Sequence, residues 1–535
     1  MKSRFNIWQF GKTYNEMREN IDWYKNYIDI IEAIDENDGT AIITDKVSVT
    51  YNELKMMSNG IAKVLAEVGI KDGEVVAVML PQSAELVASI LAIYKLGAIA
   101  LSMSTLFGLD AIKYRLTHSG AKAIITDQEG VKKVKGAEIN IKVIGETGEY
   151  GFGEPTSSFE SKHVKPSEPT QMFYTSGTTG EPKGVLLPRT WVLGHLPAWQ
   201  LVYYGPQAGD VYMTPSEWAW IGGLGDLLMP ALYYGTTVVA YRRTGRLDVN
   251  DLLDTMAENK VTGAFLVPTV IRLLRSASVD VRKYDLHLRA IMSGGEHVPE
   301  DLIPWVKENI GADLNEIIGQ TEANLLVCTS PLIMQVKPGF IGKPCPGHDV
   351  KVFNSDSDGT PVNPGEIGEI VLKLPDPVAM LEYYRNSEAT AKKIRNGYLW
   401  TGDMAALDDD GYLKFAGRND DIIKVSAYRL NPIEIEGIIN KHPAVDSAVV
   451  VGVEDPIRGT IIAAYVKLKA GYEPSKKTEE ELRNFVKTRL AAYAYPRLIV
   501  FTDNIPATIT GKVRRVELRE ELKKQFRDRL SDSGA

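Results

Sequence analysis

Apolar residues in the first half of the chain alternate between two periods. Spacings of three and four predict helices over 51–68, 84–95 and 111–118, and unbroken apolar runs predict strands over 75–80, 99–103 and 122–126. The lead, 1–50, is irregular and partly helical, with helical spacing over 27–34 and a short strand over 40–44. Helices alternating with wholly apolar strands imply a parallel sheet covered on both faces. The pattern then recurs. A helix end, Gly235 and a strand over 236–241 match the helix end before Gly97 and the strand after it. A helix over 249–258, a strand over 263–267, a helix over 270–276 and a strand over 289–293 follow, predicting two similar α/β subdomains. Around Lys337, Pro338, Gly339, Gly342, Pro344, Pro346 and Gly347 punctuate short strands such as 350–353 and 369–372, as in a small β subdomain. From Asp420 a β–α–β–β–α–β succession over 422–425, 433–441, 445–453, 461–467, 479–490 and 498–501 predicts an α+β domain. The expected fold class is α/β plus α+β. A large N-terminal domain, 1–419, holds two α/β subdomains and the β subdomain; a small C-terminal α+β domain, 420–535, follows.

Composition narrows the class. A length of 535 residues exceeds what one core usually supports, and 44% hydrophobic with 24% charged residues is the profile of a globular protein. A net charge of −8 gives no electrostatic case for nucleic acid. Cys328 and Cys345 cannot form a disulfide framework and read as inert buried thiols of a reducing compartment. No apolar leader opens the chain. The most apolar stretch, 86–103, is broken by Lys95 and Gly97 into helix and strand, so no membrane span is expected. The expected location is the cytoplasm, without nucleic-acid or membrane partners; a homo-oligomer is compatible with the sequence.

The chemistry centres on one loop, Tyr174-Thr-Ser-Gly-Thr-Thr-Gly-Glu-Pro-Lys-Gly184, set between apolar runs over 171–175 and 185–187 and read as strand–loop–strand. Its glycines let backbone N–H groups converge, its hydroxyls add donors, and Lys183 adds a point charge; together they suit a triphosphate. It is not the Walker pattern, which has Gly-Lys-Ser/Thr opening a helix.

Further motifs follow in order: Ser293-Gly-Gly-Glu296, Gly319-Gln-Thr-Glu322, Trp400-Thr-Gly-Asp403, Gly417-Arg-Asn-Asp-Asp-Ile-Ile-Lys424 and Pro506-Ala-Thr-Ile-Thr-Gly-Lys512. With the loop, they make the chain resemble the adenylate-forming superfamily from about residue 40 to 520, most closely the medium-chain acyl-CoA synthetase branch. The resemblance implies that Thr175, Ser176, Gly177, Thr178, Thr179, Gly180, Glu181, Pro182 and Lys183 hold the ATP phosphates. Gly294, Gly295, Glu296, Glu316, Gly319, Gln320 and Thr321 are placed on the nucleotide, with Thr321 by the α-phosphate. Glu322, with Thr178, is implied to bind Mg²⁺, and one carboxylate beside a hydroxyl suits a metal carried on phosphates. Asp403 is implied to accept from the ribose hydroxyls. Arg418 and Arg429 are implied nucleotide contacts, and Asp420 is the hinge to a small, mobile domain. Lys512, Glu322 and Lys424 are carried over as catalytic; Lys512 would stabilise charge between carboxylate and α-phosphate.

The implied reaction is carboxylate plus MgATP to acyl-AMP and pyrophosphate, then attack by the thiol of coenzyme A. Ser426, Ala427, Tyr428, Arg458 and Lys487 match positions that face CoA. The chain departs from the family at Ile318, where an aromatic residue is usual, and at Ala427, where glycine is usual. Trp220, Gly319 and Gly295 are implied to line the acyl pocket, and glycine at 319 is expected to leave space for an acid larger than acetate. Two other readings compete: transfer to a carrier-protein pantetheine, and a non-catalytic nucleotide-binding homologue.

Overall fold

The computed structural model describes residues 4–522 apart from 26, 46, 176–180, 243–244, 246, 297, 356–358, 419–420, 422, 426–427, 431, 456–458, 490–494, 507–514 and 516; at 424–425, 428–429, 454–455 and 459 it describes the backbone alone. By compactness the chain forms two units. One comprises Met1–Val350 and Leu372–Thr401, the other Lys351–Val371 and Gly402–Ala535.

The first unit holds two large sheets. In the seven-stranded one, Val75–Met79 lies between Ile99–Ser102 and Ala123–Thr126, parallel to both. Every residue of these three strands is buried, which is why they read as unbroken apolar runs rather than as alternation. Pro169–Thr175 continues the parallel order, and the antiparallel strands Lys183–Pro188 and Glu382–Tyr383 close that edge. The flanking helices start at caps visible in the sequence. Thr50 and Glu53 form a reciprocal capping box on Tyr51–Glu67, and Ser83 caps Ala84–Lys95.

The nine-stranded sheet runs parallel from Asp313–Gln320 through Ala290–Ser293, Gly263–Phe265, Val211–Met213 and Thr237–Val239 to Thr40–Ile43. The expected repeat is therefore present, and both of its glycines, Gly97 and Gly235, sit at positive φ (72° and 75°), where a helix turns directly into a strand. Local pattern does not give the partner of Thr40–Ile43, which pairs with Thr237–Val239 in the second sheet. Trp191–Tyr203 is buried along its whole length. Ahead of Met229–Tyr233 the chain takes a π-helical turn over Leu224–Leu228. Of the expected β subdomain, Lys343–Pro344 instead joins the nine-stranded sheet. Val350–Phe353, Ile367–Lys373, Ile394–Arg395, Tyr398–Leu407 and Leu413–Arg418 form a separate five-stranded sheet. The boundary between the units falls within its strands. Cys328 and Cys345 are buried and free, as expected.

In the second unit a hairpin of Ile423–Val425 and Tyr428–Leu430 precedes the helix Pro432–Asn440. Val445–Asp455 and Gly459–Leu468 pair antiparallel, and Leu498–Phe501 adds in parallel. Alternate residues face opposite sides. Val450, Ile462 and Val466 pack with Ile435, Leu482 and Val486, whereas Val449, Val451 and Ala463 pack with Leu518 and Leu522. Arg515 makes two bonds to the buried Glu436, at 2.7 and 2.9 Å, and lies 3.7 Å from Asp421. Burial and the two carboxylates thus fix Arg515.

Candidate active site

The phosphate-type loop connects an antiparallel pair. Thr175 stands opposite Lys183 and Tyr174 opposite Gly184, so the strand–loop–strand reading holds. Ser176, Gly177, Thr178, Thr179 and Gly180 lie outside the described residues. At the loop's descending end Glu181 is exposed, and the carbonyl of Pro182 accepts from Tyr114 Oη at 2.9 Å. Beside it a cavity of about 180 Å³ is lined by Tyr114, His118, Glu181, Lys183, Tyr384 and Asn386. His118 Nδ1 lies 2.7 Å from the hydroxyl of Tyr174, and burial with the nearby Arg385 charge lowers its pKa.

A second hairpin, Asp313–Gln320 with Ala323–Cys328, turns at Thr321 and Glu322. Glu322 is 8% exposed and its Oε1 accepts from Tyr383 Oη at 2.5 Å. Lys183 Nζ lies 5.1 Å from the centre of the same tyrosine ring. Tyr383 therefore joins two motifs that are far apart in sequence. It is positioned by the two-residue strand Glu382–Tyr383, which pairs opposite Leu186 and Val185, and by Met380 N donating to the Glu322 carbonyl at 2.8 Å. Sequence reasoning missed Tyr383, because a two-residue strand leaves no periodic signal. It also missed Lys393, whose ammonium donates to Gln320 Oε1 at 2.6 Å and to the Thr401 carbonyl at 2.9 Å; Gln320 Nε2 donates to the same carbonyl.

The adenine-side candidates are placed as follows. A Cβ at Gly294 would press on the Ile317 carbonyl at 2.6 Å, whereas nothing stands within 4 Å of one at Gly295. The carboxylate of Glu296 is already engaged, by Thr269 N at 2.9 Å and Arg272 Nη2 at 2.7 Å. Glu316 is buried against Val298 N, and burial pushes its pKa up to about 8, so it is a neutral acid at neutral pH. Of the acyl-pocket candidates, Trp220 is half-buried and edge-on to Phe107, with ring centres 5.8 Å apart, and Trp218 is a buried core residue. Gly319 needs correction. The space beside it is not open: a Cβ there would collide with Asn324 Oδ1 and Leu325 N. Glycine at 319 permits the close return of the hairpin.

In the second unit, Asp403 and Arg418 face each other across paired strands, and Arg418 Nη1 donates to Asp403 Oδ1 at 2.9 Å. Gly402 N donates to Glu369 Oε1 at 2.7 Å. The backbone hairpin sets Lys424 opposite Arg429 and Val425 opposite Tyr428. Lys487 is exposed, 4.1 Å from the Tyr495 ring centre. Asp420, Ser426, Ala427, Arg458 and Lys512 lie outside the described residues. Among the described residues no group of three or more His, Cys, Asp or Glu side chains is placed to hold a metal, and no helix is long and apolar enough to cross a membrane. A single buried carboxylate, oriented by a tyrosine hydroxyl next to a phosphate-type loop, fits Mg²⁺ carried mainly on a nucleotide.

These sheets, with a nucleotide-type loop at the edge of one and a smaller α+β unit after them, define an adenylate-forming enzyme. The chain belongs to the AMP-binding enzyme family: that family's model matches residues 32–384, and the model of the AMP-binding enzyme C-terminal domain matches 434–512. Its relatives include 4-hydroxybutyrate–CoA ligase 1 of Metallosphaera sedula, 33% identical over 514 residues, 93% of this chain and 90% of the relative. Another is the mitochondrial acyl-coenzyme A synthetase ACSM3 of Mus musculus, 30% identical over 500 residues, 88% of this chain and 84% of the relative. Among solved structures, the anthranilate CoA ligase AuaEII in complex with anthranoyl-AMP superposes with a TM-score of 0.84 at 27% identity, covering 94% of this chain and 98% of that one. The chain is thus an acyl-CoA ligase homologue with an AMP-binding domain, and AMP-forming CoA ligases use ATP and CoA.

Proposed function

We propose that the protein joins a short- to medium-chain carboxylic acid, roughly four to eight carbons, to coenzyme A through an acyl-AMP intermediate. The observation that carries this reading is the convergence of Lys183, Tyr383 and Glu322 at the end of the phosphate-type hairpin. In it, loop residues 175–183 grip the β- and γ-phosphates and retain the pyrophosphate that leaves. Glu322, with Thr178, would hold Mg²⁺, which supplies counter-charge to the phosphates. Glu322 is kept in one orientation by the Tyr383 hydroxyl. Asp403, steadied by Arg418, accepts from the ribose hydroxyls. Lys512 neutralises repulsion between the acid and the α-phosphate as charge builds in the transition state.

The small domain, taken as 420–535, then turns about Asp420, withdraws Lys512 and presents the Lys424–Arg429 hairpin to CoA. Ser426, Ala427 and Tyr428 line the approach of the thiol, and Arg458 and Lys487 meet the CoA phosphates. The relative named for 4-hydroxybutyrate supports an acid in this size range.

The test is a panel of carboxylates with ATP and CoA, reading AMP formation, run with a Lys512→Ala variant. The variant is expected to lose adenylation and keep the thioester step from supplied acyl-AMP. Intact adenylation in Lys512→Ala refutes its role, and better turnover of acetate than of butyrate and hexanoate refutes the chain-length range.

A further inference from the structure

The helix Leu109–Ser119 carries two pairs of residues at a spacing of four, each pair on one face. Ile112 and Leu116 are buried in one core with Ala77, Leu101 and Ile124 of the seven-stranded sheet. Tyr114 and His118 are half-buried, with their rings stacked, centres 5.4 Å apart and planes 16° from parallel. Each of these two rings reaches one foot of the phosphate-type hairpin. His118 Nδ1 lies 2.7 Å from the hydroxyl of the buried Tyr174 on the ascending strand. Tyr114 Oη donates to the Pro182 carbonyl at 2.9 Å on the descending side. The helix is also tied to the segment after Tyr383, since Arg385 Nη1 donates to the His118 carbonyl at 3.1 Å.

The two bonds fall where the hairpin's ladder ends. Thr175 opposite Lys183 is the last pair, so the Pro182 carbonyl lies beyond the sheet and takes its partner from Tyr114. A peptide unit is planar, so holding the Pro182 carbonyl also holds the nitrogen of Lys183. On the other side of the lysine, the Gly184 carbonyl accepts from Tyr384 N at 2.7 Å. Lys183 is thus fixed through the peptide groups before and after it, the first of them by a side chain 68 residues away from Pro182 in the chain. Tyr114, His118 and Lys183 line the same cavity of about 180 Å³. Neither bond belongs to a helix or sheet ladder; both go to the feet of the hairpin.

We propose that Tyr114 and His118 are positioning residues of the phosphate-type loop, holding its two feet so that the Lys183 ammonium faces the phosphates of ATP and the pyrophosphate that leaves. Tyr114 acts through the Pro182–Lys183 peptide, and His118 acts through Tyr174. On this reading neither group meets the acid or coenzyme A. The proposal rests on the reading of the loop as the holder of the ATP phosphates.

The experiment uses the full chain, carboxylate-dependent ATP–pyrophosphate exchange, and thioester formation from supplied acyl-AMP and coenzyme A. Tyr114→Phe removes only the hydroxyl. It is expected to raise the KM of ATP and of pyrophosphate by about three- to tenfold, the range one hydrogen bond commands. The KM of the acid and the thioester step, which uses no phosphate of ATP, should stay unmoved. His118→Leu should act in the same direction, and His118→Asn, which keeps a hydrogen-bonding atom at the δ position, should stay near the wild type. Because Tyr114 acts through Lys183, adding Tyr114→Phe to Lys183→Ala should change the KM of ATP by less than about twofold. Unmoved KM values for ATP and pyrophosphate in Tyr114→Phe overturn the proposal even if the melting temperature falls, since a merely structural bond would act on stability alone. Equal damage to the thioester step overturns it too, as does a full further loss in the Lys183→Ala background. If His118→Leu does not fold, Tyr114→Phe and the double variant decide. Absence of exchange in the wild type with every acid, unlike unmoved KM values in the variants, refutes the adenylation reading itself and the proposal with it.

Discussion

Tyr383→Phe isolates one bond at the centre of the site. The hydroxyl is the only part removed, and the ring stays 5.1 Å from the Lys183 ammonium and opposite Val185 in the sheet. What is lost is the 2.5 Å bond to Glu322 Oε1, inside a site where the glutamate is 8% exposed. A hydrogen bond to a carboxylate is worth about 1.5–3 kcal/mol, at the upper end where the acceptor is shielded from water. Chemical denaturation should therefore show a loss of about 1.5–3 kcal/mol. If the bond also fixes the orientation in which Glu322 meets the metal, freeing the carboxylate should raise the half-saturating Mg²⁺ for ATP–pyrophosphate exchange by about tenfold, since about 1.4 kcal/mol is a factor of ten. Calorimetric titration of ATP with and without Mg²⁺ should show the same weakening without turnover. A stability loss with an unchanged Mg²⁺ dependence would mean that the tyrosine only holds the strand. No change in either would mean that the bond carries nothing.

The buried Glu316 predicts a pH dependence of stability. Its folded pKa of about 8 lies above the ordinary 4.5, so between those values the folded chain holds a proton that the unfolded chain has released. Stability then falls by about 1.4 kcal/mol per pH unit as pH rises from about 4.5 to 8 and levels off above. Denaturation of Glu316→Gln across pH 5–9 should lose that slope, and an unchanged slope would assign it elsewhere. Arg515→Leu removes the guanidinium from the buried Glu436, while Asp421 keeps Arg519, and should cost about 3–5 kcal/mol in denaturant. Adding Glu436→Leu should recover part of that cost, and strictly additive losses would disprove the pairing. Lys183→Ala should raise the KM for ATP in pyrophosphate exchange and spare the thioester step from supplied acyl-AMP; equal damage to both steps would contradict a role on the leaving pyrophosphate.

The sequence by itself determined the elements whose stabilisation is local. Ala84–Lys95 and Val249–Glu258 match their expected ranges because cap and apolar spacing agree. Val75–Met79, Ile99–Ser102 and Ala123–Thr126 were legible because strands buried on both faces must be apolar throughout. The Ser/Thr/Gly/Lys loop was legible for a similar reason: its chemistry is carried by neighbouring residues in one stretch.

Tertiary structure decided what depends on residues far apart in the chain. It set Thr40–Ile43 against Thr237–Val239, brought Tyr383 between Lys183 and Glu322, and filled the space beside Gly319 with Asn324. By compactness it divided the chain within a sheet, at Val350, Val371 and Thr401; the boundary near 420 came from the β–α–β–β–α–β succession and the hinge motif. It also made Glu316 a neutral acid and raised the pKa of Asp226 through burial, because a carboxyl's proton affinity depends on how much water and how many donors the whole fold leaves around it. Side-chain type is written in the sequence, but burial and partner are properties of the packed chain.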